Sequence, residues 1–121
     1  MASEKNNLIS YDLIGTHPIG ESIALSEGVT THRLADNIDK TYFFRVCMKK
    51  GSTIHQNYHD CMEDIVLFNG DVVEVVSNTI LKNEKIIRIM PGQAHAFYAK
   101  EDSTMYCQLY KPSHHKLKKL A

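Results

Sequence analysis

From Thr41 to Met48 every second residue is apolar, Tyr42, Phe44, Val46 and Met48. That alternation predicts a β-strand with one face in a core and one towards water. Thr104 to Tyr110 repeats the pattern, setting Met105, Cys107 and Leu109 against Thr104, Tyr106 and Gln108. Val29 to Leu34, rich in β-branched residues, lies between Gly28 and the turn signal Asp36-Asn37. Shorter strands are expected over Thr53–His59, Glu63–Phe68, Val72–Val76, Thr79–Leu81, Lys85–Met90 and His95–Ala99. Leu8 to Ile14 and Ile23 to Leu25 read as short strands or an N-terminal arm.

Turn chemistry punctuates this series. Asn69-Gly70-Asp71 predicts a hairpin joining Glu63–Phe68 to Val72–Val76, because asparagine and glycine both tolerate positive φ. A second hairpin is expected around Asn83-Glu84, and Pro91-Gly92 and Lys100–Ser103 mark further turns. No stretch before Pro112 has helical periodicity. Nine or ten short strands with a turn about every 8 to 12 residues make the fold all-β, an antiparallel barrel or sandwich. The last residues, KPSHHKLKKLA, differ: Ser113 is placed to cap a short basic helix with Leu117 and Leu120 on one side, the alternative being a basic tail.

At 121 residues and 13.8 kDa the chain suits one core, so a single domain over 1–121 is expected. Within it, residues 1–6 are a frayed N-terminus, the barrel spans about 8–111, and 112–121 form the C-terminal helix or tail. Lys+Arg and Asp+Glu balance at 14 each, which argues against recognition of nucleic acid or membrane through net charge. Small-molecule ligands are the expected partners. Three cysteines, an odd number without a CxxC pair, suggest reduced thiols, and no secretory or membrane-spanning pattern is seen. A cytoplasmic location follows as the expectation.

Candidate chemistry concentrates in Gly51–Gly70, GSTIHQNYHDCMEDIVLFNG. Strand parity puts His55, Asn57 and His59 on one face, with Glu63 four residues further on. GxGxxG, GxxxxGK[ST] and HExxH are absent, so dinucleotide, P-loop and zincin chemistry lack support. Cys61 stands among Asp60, Glu63 and Asp64, which disfavour a thiolate, and reads as a bystander. Tyr98, Tyr106 and Tyr110 read as sheet packing.

The spacing Gly51-x5-Asn57-x-His59-x3-Glu63-x6-Gly70 resembles the first motif of the cupin superfamily, G-x5-H-x-H-x3,4-E-x6-G, with asparagine at the first histidine position. Gly92 and His95 match the second motif, P-x-G-x2-H-x3-N, where Met90 replaces the proline and Ala99 the asparagine. The resemblance implies a double-stranded β-helix, or jelly roll. It makes His59, Glu63 and His95 metal ligands and places Asn57 at a fourth ligand position. Two imidazoles and a carboxylate suit a divalent transition metal, Fe, Mn, Ni or Zn, with open positions for a substrate. Asn57 is the poorer donor and weakens such a site. His55 lies about 13 Å from His59 along an extended strand, too far to share the ion; it is expected on the pocket wall as acid or base.

Two functions from different classes follow. One is a metal-dependent enzyme of dioxygenase, isomerase or lyase type acting on a small oxygen-rich molecule. The other is a metal-free or weakly metallated module that binds or senses a small molecule. A homodimer is expected, following the family's habit and the need to cover edge strands.

Overall fold

The computed structural model describes residues 19–36, 41–59, 61–110 and 117–119. Eleven strands are formed among them: β1 (Ser22–Ser26), β2 (Val29–Asp36), β3 (Tyr42–Met48), β4 (Thr53–His59), β5 (Glu63–Asn69), β6 (Val72–Glu74), β7 (Thr79–Ile80), β8 (Ile86–Ile89), β9 (His95–Ala99), β10 (Ser103–Leu109) and β11 (Leu117–Lys119). They make a six-stranded sheet in the order β1-β2-β3-β10-β5-β8 and a five-stranded sheet in the order β11-β4-β9-β6-β7. Every ladder between these strands is antiparallel.

Alternation does what the sequence promised on β3 and β10. Phe44, Val46 and Met48 on β3, and Met105, Cys107 and Leu109 on β10, are buried inward. The two strands pair over their whole length, from Ser103 opposite Met48 to Leu109 opposite Tyr42. Leu25, Val29, Ile54, Ile65, Leu67, Val72, Ile89 and Phe97 complete one core between the sheets. Apolar area removed from water at about 25 cal/mol per Å² is the main source of stability in such a core.

Both expected hairpins are differently wired. β5 pairs with β10 and β8, while β6 pairs with β9 and β7, so the Asn69-Gly70-Asp71 turn carries the chain from one sheet to the other. Gly70 has φ 103, and a Cβ there would stand 2.6 Å from Ser103 Cα, so only glycine fits the crossing. Ser103 Oγ accepts the Asp71 amide at 2.9 Å and fixes it. Likewise β7 turns back on β6 through Val75–Asn78, with Asn78 at φ 57, instead of pairing with β8. A turn signal reports a reversal of direction; which strand becomes the partner depends on the sheet the chain enters.

Glu74 locks this second turn. Its carboxylate accepts the amides of Val76 (2.9 Å), Ser77 (2.8 Å) and Ala96 (2.9 Å) and the Ser77 hydroxyl (2.6 Å). Burial opposes its charge, but the bonds from Ser77, Ala96 and Val76 prevail and hold its pKa below the ordinary 4.5.

No C-terminal helix is formed among the described residues. Leu117–Lys119 form a strand against β4, with Leu117 opposite His59 and Lys119 opposite Asn57. Pairing with an open sheet edge outweighs the weak helical spacing of Leu117 and Leu120. The expected arm at Leu8–Ile14 and the frayed residues 1–6 lie outside the described residues.

Candidate metal site in the barrel interior

The three donors stand at strand ends. His59 closes β4, Glu63 opens β5 just past the corner, and His95 opens β9. The turn Met90–Gln93 brings the last of these into place: Gly92, at φ 78, donates its amide to the His59 carbonyl at 2.7 Å, and the Gln93 side chain accepts the Met90 amide at 3.0 Å. The two halves of the sequence pattern are thus hydrogen-bonded to each other.

His59 Nε2 lies 3.1 Å and His95 Nε2 3.7 Å from Glu63 Oε1. The imidazoles stack with centroids 4.8 Å apart, and one donor atom from each of the three residues falls within 4.8 Å of the others. All three side chains are buried. Bonds of about 2.0–2.2 Å to one ion place neighbouring donors roughly 2.9–3.5 Å apart, so the first pair already has ligand spacing and the second nearly so. The His95 Nδ1 lies 3.2 Å from the Gln93 carbonyl, which can only accept, leaving the Nε2 lone pair towards Glu63. Burial, and then His59, push the His95 pKa below 6.5 against the pull of Glu63 and so favour the neutral ring that a metal requires. The residues fit a divalent ion.

The group lines a cavity of about 40 Å³ whose remaining wall is mostly apolar, with Leu25, Phe44, Val46, Ile54, Ile65, Phe97, Met105 and Leu109. Asn57, Thr31 and Cys107 are its other polar members. Asn57 is buried, and its Nδ2 donates to the His55 carbonyl at 2.6 Å. Cys107 hydrogen-bonds to Glu63; burial, reinforced by that carboxylate, pushes its pKa well above 9.0 and keeps it a thiol. Cys61, the cysteine that drew attention in the sequence, is buried in the core.

His55 does not take the expected place on the wall. Ile54 pairs with Phe97 and Asn57 with His95, so His55 and Gln56 together oppose the single Ala96. This bulge shifts the parity of β4: Ile54 and Asn57 both point inward, while His55 and Gln56 are exposed. His55 is therefore outside the cavity that holds the three donors. Thr31 and Cys107 went unnoticed because each is one inward position on a distant strand, marked only by its parity.

Two antiparallel sheets closing over a buried His-Glu-His group define a cupin barrel, and the chain has the cupin fold. An RmlC-like cupin from Shewanella frigidimarina superposes with TM-score 0.66 at 14% identity, covering 75% of this chain and 83% of that one. A mutant form of salicylate 1,2-dioxygenase from Pseudoaminobacter salicylatoxidans gives 0.69 at 13% identity over 95% of this chain and 36% of that one. The Cupin_2 domain of an XRE family transcriptional regulator from Enterobacter cloacae gives 0.60 at 14%, covering 70% and 98%. No family model and no curated protein matches the sequence.

Proposed function

We propose that this chain is a small metal-dependent cupin enzyme in which His59, Glu63 and His95 hold one divalent first-row ion and the cavity receives a small oxygen-bearing organic molecule. The observation that carries the reading is the convergence of two buried imidazole nitrogens on one carboxylate oxygen, at 3.1 and 3.7 Å. Two histidines and one carboxylate leave open positions of the kind used by non-haem iron oxygenases. Dioxygenase, isomerase and lyase chemistry all suit such a site, and the likeness to a salicylate dioxygenase, at 13% identity over 36% of that chain, bears on the fold alone.

When bound, the ion supplies Lewis acidity to an oxygen atom of the substrate. The chain's own groups do the rest. Glu63 offsets part of the ion's charge and is steadied by the Cys107 thiol. The Gln93 carbonyl orients His95. Phe44, Ile65, Phe97, Met105 and Leu109 limit the space open to water, which strengthens every polar contact inside.

A second reading, a metal-free binding module, is favoured by Asn57, whose amide is engaged with the His55 carbonyl rather than directed as a third imidazole would be. Elemental analysis of untagged protein before and after adding Fe(II), Mn(II), Ni(II) or Zn(II) separates the two. Near-stoichiometric uptake that His95→Ala abolishes supports the metal reading; no uptake supports the module. We further propose a homodimer, drawing on the exposed Phe68 and Ile86 on the outer face of the six-stranded sheet, and a monomer by light scattering at micromolar concentration would refute it.

A further inference from the structure

Thr31 is 2% exposed, lines the cavity, and its Oγ1 has no hydrogen-bond partner among the described residues. Buried hydroxyls are nearly always satisfied, by protein or by something bound, so an orphan facing a cavity marks where a ligand or water bonds. Thr31 is on β2, and β3 and β10 stand between it and β5, which carries Glu63. Phe44, Val46 and Met105 on those two intervening strands give the cavity an apolar stretch of wall between its two polar parts.

We propose that Thr31 is the second polar contact for the cavity's ligand, and that the ligand is a short carboxylate bearing a hydroxyl or oxo group towards its other end. The carboxylate end rests on the metal reading above: a divalent ion with two neutral imidazoles and one carboxylate keeps one unit of positive charge, which suits a monoanion. The hydrocarbon middle lies along the apolar wall, and the far oxygen meets Thr31. A cavity of about 40 Å³ sets the size, since each water needs about 10–15 Å³ measured in the same way. So small a space selects a short chain over a sugar or an aromatic ring.

Zinc-loaded protein, its metal content measured first, provides the test because zinc is redox-silent. Calorimetric Kd values are compared for three isosteric pairs: glycolate with propionate, 3-hydroxypropionate with butyrate, and 4-hydroxybutyrate with pentanoate. At the length that spans the cavity, the hydroxy acid is expected to bind about 3- to 10-fold more tightly than its alkyl partner. Thr31→Val, of nearly the same shape, is expected to erase that ratio while leaving zinc content and alkyl-acid affinity unchanged. Equal affinities at every length, or a ratio that survives Thr31→Val, overturn the proposal. So does a crystal structure in which a water stays on Thr31 Oγ1 with the hydroxy acid bound. If no zinc is taken up, the metal reading falls alone, and the same ratios measured on metal-free protein still decide the role of Thr31.

Discussion

Asn57 stands directly opposite His95 in the ladder between β4 and β9, next to the bulge that lets both side chains face the barrel interior. An imidazole at 57 would therefore enter the space beside the three donors. Asn57→His is expected to tighten metal binding by roughly tenfold or more, the scale on which groups around a metal ligand act. Competition with a chelator of known affinity measures it, and unchanged affinity would show that position 57 does not reach the ion.

His55 gives the opposite expectation. Because the bulge turns it to solvent, His55→Ala should leave metal affinity unchanged. Deleting Gln56 should abolish metal binding, since removing one of the two residues opposite Ala96 erases the bulge and changes the facing of one flank of β4. Metal content of the two variants, alongside circular dichroism to establish folding, checks the contrast.

Glu74 links acid stability to the strand that carries His95. Its native pKa is lowered, so its stabilisation is complete above the ordinary value of 4.5 and is lost as the pH falls through the native value. Glu74→Gln keeps the shape but removes the charge from a carboxylate with four donors, and should cost about 1–3 kcal/mol near neutral pH. The cost should shrink in strong acid, where the wild-type carboxyl is also neutral. Urea denaturation at pH 7 and below pH 3 gives the two values, and an equal cost at both would contradict the charge argument.

Gly70→Ala tests the crossing between sheets. A methyl group there meets the Ser103 backbone in a left-handed conformation that alanine resists, and a loss of about 1–3 kcal/mol is expected. Gly51→Ala, where nothing lies within 4 Å of the new Cβ, should cost less, leaving only the strain of its φ of 84. A thermal melt of each variant measures the difference.

The cupin resemblance pointed to His59, Glu63 and His95, and the fold groups them: the first two stand four residues apart at the end of β4 and the start of β5, and a turn docked on His59 delivers the third. The strands themselves were legible wherever alternation ran for seven residues, as on β3 and β10. Their partners were not, because Asn69-Gly70 announces a reversal without naming the sheet that receives β6. The bulge was equally hidden. No glycine or proline marks it, yet it moves His55 from the expected wall to the surface. Composition concealed β11 as well, since lysine-rich residues suggested a solvated helix where backbone pairing with β4 decides the outcome.

β11 runs along the strand that ends in His59, with Leu117 opposite that donor. A segment fused after this strand would be joined through one ladder to the backbone that carries His59, and a polyhistidine tail would compete with the candidate site for an ion. Expression vectors for metal analysis should accordingly carry a cleavable handle at the other terminus, and metal contents obtained with C-terminal fusions would mix the site's own affinity with that of the handle.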